Sequence, residues 1–168
     1  ERGNMELLIT TPIRPLELMV GKLVPYVLVG IVQVTIILGL GRLVFDVPFL
    51  GAFPSLAVVT LAFIGASLTL GLLISTIATT QMQAMQMTVF ILMPSILLSG
   101  FMFPYDAMPA VAQYIAEVLP ATHFMRLVRA VFLRGATVSQ LLPDVLWLLG
   151  FTAVMLAIAT IRFRKTLD

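Results

Sequence analysis

Residues 47–105 run for 59 positions without one Asp, Glu, Lys or Arg. As a single helix this stretch would be about 88 Å long at 1.5 Å per residue, roughly three times the hydrocarbon thickness of a bilayer. It must therefore fold back on itself. The polar cluster Thr79-Thr80-Gln81-Met82-Gln83-Ala84-Met85-Gln86 is the natural place. Cutting there leaves apolar segments near residues 53–78 and 87–103, each long enough to cross. The sequence predicts a membrane hairpin.

The rest of the chain agrees. Of 168 residues, 60% are hydrophobic and 11% charged, less than half the roughly 25% that coats a water-soluble domain. The net charge of +2 comes from few residues and is read as membrane orientation. No basic patch is interleaved with aromatics, so nucleic acid is not an expected partner. The absence of cysteine excludes disulfides, thiolate metal sites and Cys nucleophiles. One histidine and scattered acids give no metal cage. The chain opens on Glu1-Arg2-Gly3-Asn4 without an initiator Met or a signal-peptide pattern, and is expected to be a piece of something longer.

In order, residues 1–15 read as a short amphipathic helix interrupted at Thr11-Pro12-Ile13-Arg14-Pro15, because proline pushes its predecessor out of the α region. A first span is predicted over 23–41, bent by Pro25. Spans over 55–78, 86–103 and 141–161 follow. Small residues at Gly65, Ala66, Ser67 and Gly71 suit close helix packing in lipid. Pro94 interrupts the third span and should face protein or a cavity. Residues 104–140 are never apolar for long enough to cross. They suit two short helices, the second with Thr122 as its N-cap and Gly135 as its stop. Phe124, Leu127, Val128 and Val131 share one face of that second helix, opposite Arg126, Arg129 and Arg134, as in a helix at the membrane interface. Asp144 falls in the first turn of the last span.

The fold class is thus all-α, a polytopic membrane protein. It has four transmembrane helices, an N-terminal amphipathic segment and a re-entrant or interfacial helix pair before the last span. Four crossings put both ends on one side. The tail 162–168 carries Arg162, Arg164 and Lys165, which with Arg2, Arg14 and Lys22 makes six basic residues there against four opposite (Arg42, Arg126, Arg129, Arg134). By the positive-inside rule that side is cytoplasmic.

No catalytic constellation is visible. His123, with Asp106 and Glu117 in its segment, could serve a membrane enzyme acting on lipid through His123 and Asp106, but reads more simply as a polar residue at a helix start near the interface. No Gly-rich phosphate loop is present, so any nucleotide must be bound by another chain. Met82, Met85, Met87 and Met93 suit adaptable packing, or a pliable lining for varied greasy substrates. The N-terminal segment is either an interfacial anchor or a lever on which a soluble partner pushes, presenting Glu1, Arg2 and Arg14.

Residues 1–22, ERGNMELLITTPIRPLELMVGK, closely resemble the cytoplasmic coupling segment of type-2 ABC exporter permeases. Leu98-Ser99-Gly100-Phe101-Met102-Phe103-Pro104 and Leu119-Pro120-Ala121-Thr122-His123-Phe124 resemble two further stretches of that family, in the family's order. The resemblance implies the C-terminal part of a six-span subunit in a bacterial inner membrane. Two such subunits pair, as a homodimer or a heterodimer, and two ABC ATPase subunits dock on the coupling segment. It further implies that Glu1, Arg2, Met5, Glu6, Pro12 and Arg14 contact the ATPase. Phe90, Met93, Pro94, Leu97, Phe101 and Met102 would line the translocation path and its outer gate. No cofactor is expected on this chain, and ATP and Mg belong to the partner ATPase. The function implied is ATP-driven export of an amphipathic or hydrophobic compound; the alternative is an ATP-independent channel or carrier.

Overall fold

A computed structural model of the protein describes residues 14–165. It is helical throughout: α1 (Pro15–Phe45), α2 (Phe53–Ile77), α3 (Gln81–Leu98), α4 (Ala110–Val118), α5 (Pro120–Arg134) and α6 (Val138–Lys165), with a single 3-10 turn at Tyr105–Ala107. No strand occurs among the described residues. The all-α class is as the sequence predicts, and α1, α2, α3 and α6 are long and apolar enough to cross a membrane.

Several boundaries differ from the sequence reading, each for a local reason. The turn between α2 and α3 is confined to Ala78, Thr79 and Thr80, so Gln81 to Gln86 are helical. The Thr80 hydroxyl accepts the Gln83 N–H at 3.1 Å, and Gln83 Oε1 reaches back to the Thr79 N–H at 2.9 Å. This reciprocal capping starts a helix inside what composition marks as a polar turn. At the other end α3 stops at Leu98, and Gly100 turns the chain with φ +87°. α1 runs through Pro25 as one helix of 31 residues, about 46 Å at the standard rise.

Thr122 is not an N-cap. Pro120 occupies the first helical position of α5, where its missing N–H costs nothing, and Leu119 stands before it. Gly135 does end α5, in the left-handed conformation at φ 60°. Asp144 lies beyond the first turn of its helix, because α6 already begins at Val138.

The centre of the bundle is α2, packed most extensively on α6 and also touching α1, α3 and α5. Leu56, Val59, Ala62 and Ala66 of α2 form the core with Leu127, Ala130 and Val131 of α5 and Leu141, Val145 and Leu148 of α6. Lipid gives no hydrophobic drive between helices, so close contact must do the joining. A Cβ placed on Gly65 would stand 3.6 Å from Thr152 of α6, and one on Gly30 of α1 would stand 3.1 Å from Ile64 Cδ1. A Cβ placed on Gly71 would meet nothing within 4 Å among the described residues beyond its own helix backbone. Hydroxyls within the helices bond back to their own backbone, as Thr69 does to Gly65 O at 2.9 Å and Thr152 to Leu148 O at 2.8 Å. That leaves no orphan donor facing hydrocarbon at these positions.

The apolar stripe of α5 therefore faces other helices. Leu127 and Val131 are fully buried, and Phe63 of α2 stacks on Phe124 with ring centroids 4.0 Å apart. The loop between α1 and α2 seats on the far end of the same helix. The Leu50 N–H donates to the Phe132 carbonyl at 3.3 Å, and the Phe49 ring meets that of Phe132 edge-on at 5.2 Å.

Candidate functional site

The helical hairpin α4–α5 is fastened to α6 by charged and aromatic side chains. Arg126 of α5 donates to Glu117 Oε1 of α4 at 2.6 Å through Nη2, and to Asp144 Oδ1 of α6 at 3.3 Å through Nη1. The Tyr105 hydroxyl donates to Glu117 Oε1 at 2.6 Å, and the Arg126 guanidinium lies 5.4 Å from the centre of the Tyr105 ring. His123 is buried at the heart of this group. Its Nδ1 is 2.7 Å from Asp144 Oδ1 and its Nε2 is 2.9 Å from the Glu117 carbonyl oxygen. The ring stacks on Trp147 at 3.9 Å, and Trp147 stacks in turn on Phe151.

Both ring nitrogens of His123 thus face oxygens that accept. No ring nitrogen is left for a nucleophile, as an acyl-transfer site would require. The acid opposite His123 is also Asp144, not Asp106. The reading of a membrane enzyme acting on lipid through His123 and Asp106 finds no support in this geometry; the cluster is built as an anchor.

The electrostatics of the anchor set its pH dependence. Burial pushes the Glu117 carboxyl up. The hydrogen bonds from Arg126 and Tyr105, with the Arg126 and His123 charges, outweigh this and hold it below its ordinary 4.5. The hydrogen bond to Glu117, then burial, raises the Tyr105 phenol above its usual value. A depressed carboxyl contributes stability that is present above its unfolded-state pKa and is lost as pH falls through its folded value. Acidification below 4.5 is therefore expected to loosen the hairpin. Thermal unfolding in detergent at neutral and acid pH checks this: the wild type should lose more stability than Glu117→Gln, in which that carboxyl no longer titrates.

The path residues implied by the family resemblance lie on α3 and just beyond it. Phe90, Met93 and Leu97 are exposed along one face at helical spacing, and Phe101 and Met102 continue the exposed apolar strip. Pro94 is half-buried beside them. No residue of α3 is buried. Of the coupling residues, Glu1, Arg2, Met5, Glu6 and Pro12 lie outside the described residues. Arg14 stands exposed immediately before α1, its N–H donating to Glu17 Oε2 at 3.3 Å. The sequence reading missed Asp144 and Trp147 as partners of His123. An acid and an indole three positions apart near the start of a span were the available signal.

The sequence matches the family described as "ABC-2 family transporter protein" over residues 1–161. It is 33% identical to the probable multidrug ABC transporter permease YbhS of Escherichia coli K12, covering 100% of this chain and 45% of that protein. Identity is also 33% to the inner membrane transport permease YhhJ of the same organism, over 99% of this chain and 45% of that one. ABC transporter G family member 20 of Dictyostelium discoideum is 30% identical over 79% of this chain and 18% of its own length. The chain spans less than half the length of these relatives. No solved structure matches it.

Proposed function

We propose that this chain, which belongs to the ABC-2 transporter family, forms part of the membrane-spanning permease of an ATP-driven exporter. It moves an amphipathic or hydrophobic compound out of the cytoplasm. Its partners are ABC ATPase subunits, a second permease subunit and membrane lipid, and it hydrolyses no ATP itself. The observation that carries this reading is the family match, which includes the charged, Pro-interrupted segment before α1 as well as four apolar helices. Two of the relatives are named as a multidrug ABC transporter permease and an inner membrane transport permease, which supports an inner-membrane location and an efflux role. Both ends of the chain then lie in the cytoplasm, and the exposed strip Phe90, Met93, Leu97, Phe101 and Met102 lines the route with Pro94.

In this reading the ATPases push on residues 1–15, and α1 carries that movement into the bilayer. Reversing charge at Glu6 and Arg14 in the full-length protein, expressed with its ATPase, is expected to abolish export while the protein still reaches the membrane. Transport assays in vesicles check it. Normal export by the charge-reversed protein would end the coupling assignment. Export that persists with no ATPase present would favour an ATP-independent channel or carrier.

A further inference from the structure

Beside the anchor lies an unassigned pocket of about 260 Å³, between the end of α3 and the outer face of α5. Ser99, Gly100, Tyr105, Thr122, Met125, Arg126, Arg129, Leu133 and Arg134 line it, and the arginines and apolar side chains decide its chemistry. Three guanidinium groups and no carboxylate stand in its wall. Arg126 is neutralised by Glu117 and Asp144. Arg129 and Arg134 form no ion pair among the described residues. Arg129 is held instead by donating through Nη2 to the Gly100 carbonyl, which leaves most of its N–H donors unused. Asp106 follows Tyr105 in sequence but is not part of the wall.

A second observation points the same way. Thr122 belongs to this wall, is only 3% exposed, and its hydroxyl has no hydrogen-bond partner. A buried donor left unpaired costs stability, and native structures rarely leave one so without cause. An oxyanion between Thr122 and the two uncompensated guanidiniums would answer both the orphan hydroxyl and the surplus charge. Met125 and Leu133 bring apolar surface to the same opening. At this volume the pocket suits a headgroup rather than a whole drug-sized molecule.

We propose that the pocket formed by Thr122, Arg129 and Arg134 binds a phosphate-type oxyanion, of the kind carried by an anionic lipid headgroup or by free phosphate. Guanidinium groups suit this ligand because their planar forks match phosphate oxygens in pairs. The site goes beyond the transport reading: it would hold its ligand whether or not ATP drives the protein.

The test uses the full-length protein purified in detergent, titrated with phosphatidylglycerol or phosphatidylcholine and followed by native mass spectrometry. The wild type is expected to retain phosphatidylglycerol in preference to phosphatidylcholine, or to bind inorganic phosphate where it ignores both lipids. Arg129→Gln with Arg134→Gln is expected to lower retention about tenfold, the scale of a charged hydrogen-bonded contact. Arg134→Gln alone, at the exposed end of α5, loses no hydrogen bond or ion pair to the described residues and should give part of that loss in a protein that still folds. Displacement of the lipid by millimolar phosphate would identify a free oxyanion as sufficient, and its failure would assign the site to the lipid headgroup. Equal retention by wild type and both variants would overturn the proposal, as would a wild type that shows neither lipid preference nor phosphate binding.

Discussion

His123→Ala is expected to destabilise the protein by about 3 kcal/mol, the low end of the cost of leaving a buried carboxylate without its hydrogen-bonded partner. The low end applies because the Asp144 side chain keeps 23% of its surface exposed, so water can partly solvate the carboxylate left behind. Three losses combine. Asp144 keeps only its longer bond to Arg126 at 3.3 Å, the Glu117 carbonyl loses its partner, and Trp147 loses the ring stacked on it. Reversible unfolding in mixed detergent micelles measures the change. Asp144→Asn should cost a similar amount, and the double variant distinctly less than the sum, since both remove the same contact. A loss below about 0.5 kcal/mol for His123→Ala would mean that α4 and α5 are held by their apolar face alone.

That anchor marks the limit of what the sequence could say. The charge-free run from 47 to 105 forces a membrane hairpin, and Leu127 and Val131 can be placed on the buried face of α5 from their spacing. Periodicity tells which side of a helix is apolar, but not what that side meets. The spacing marks α5 as a helix at the interface or dipping partly into the membrane, and is silent on the packing of its apolar stripe against α2 and α6. His123 and Asp144 are 21 residues apart, on helices whose relative position is a tertiary fact. Composition misleads about the turn before α3 in a different way: glutamine is polar, yet in Gln83 it caps the helix it seems to interrupt. In the exposed strip from Phe90 to Met102, residue chemistry alone singles out Met93, with Pro94 beside it, and the family resemblance nominates the others.

The loop between α1 and α2 leads to the second large effect, because its fit against α5 leaves no room at Gly51. A Cβ there would lie 2.5 Å from Val131 Cγ1 and 2.7 Å from the Val131 carbonyl oxygen. The first clash could be relieved by turning a side chain. The second is with helix backbone and cannot, so the loop itself must lift. Gly51→Ala is then expected to cost about 3 kcal/mol, combining overpacking with loss of the bond from the Leu50 N–H to the Phe132 carbonyl. Gly71→Ala provides the contrast, since nothing described lies within 4 Å of the added carbon. There the gain in helix propensity should leave the protein unchanged or slightly more stable. Detergent unfolding of the two variants side by side checks the pair. Equal stabilities would show that the loop is free of α5, whereas the expected gap would mean that the loop is seated on α5 in the folded protein.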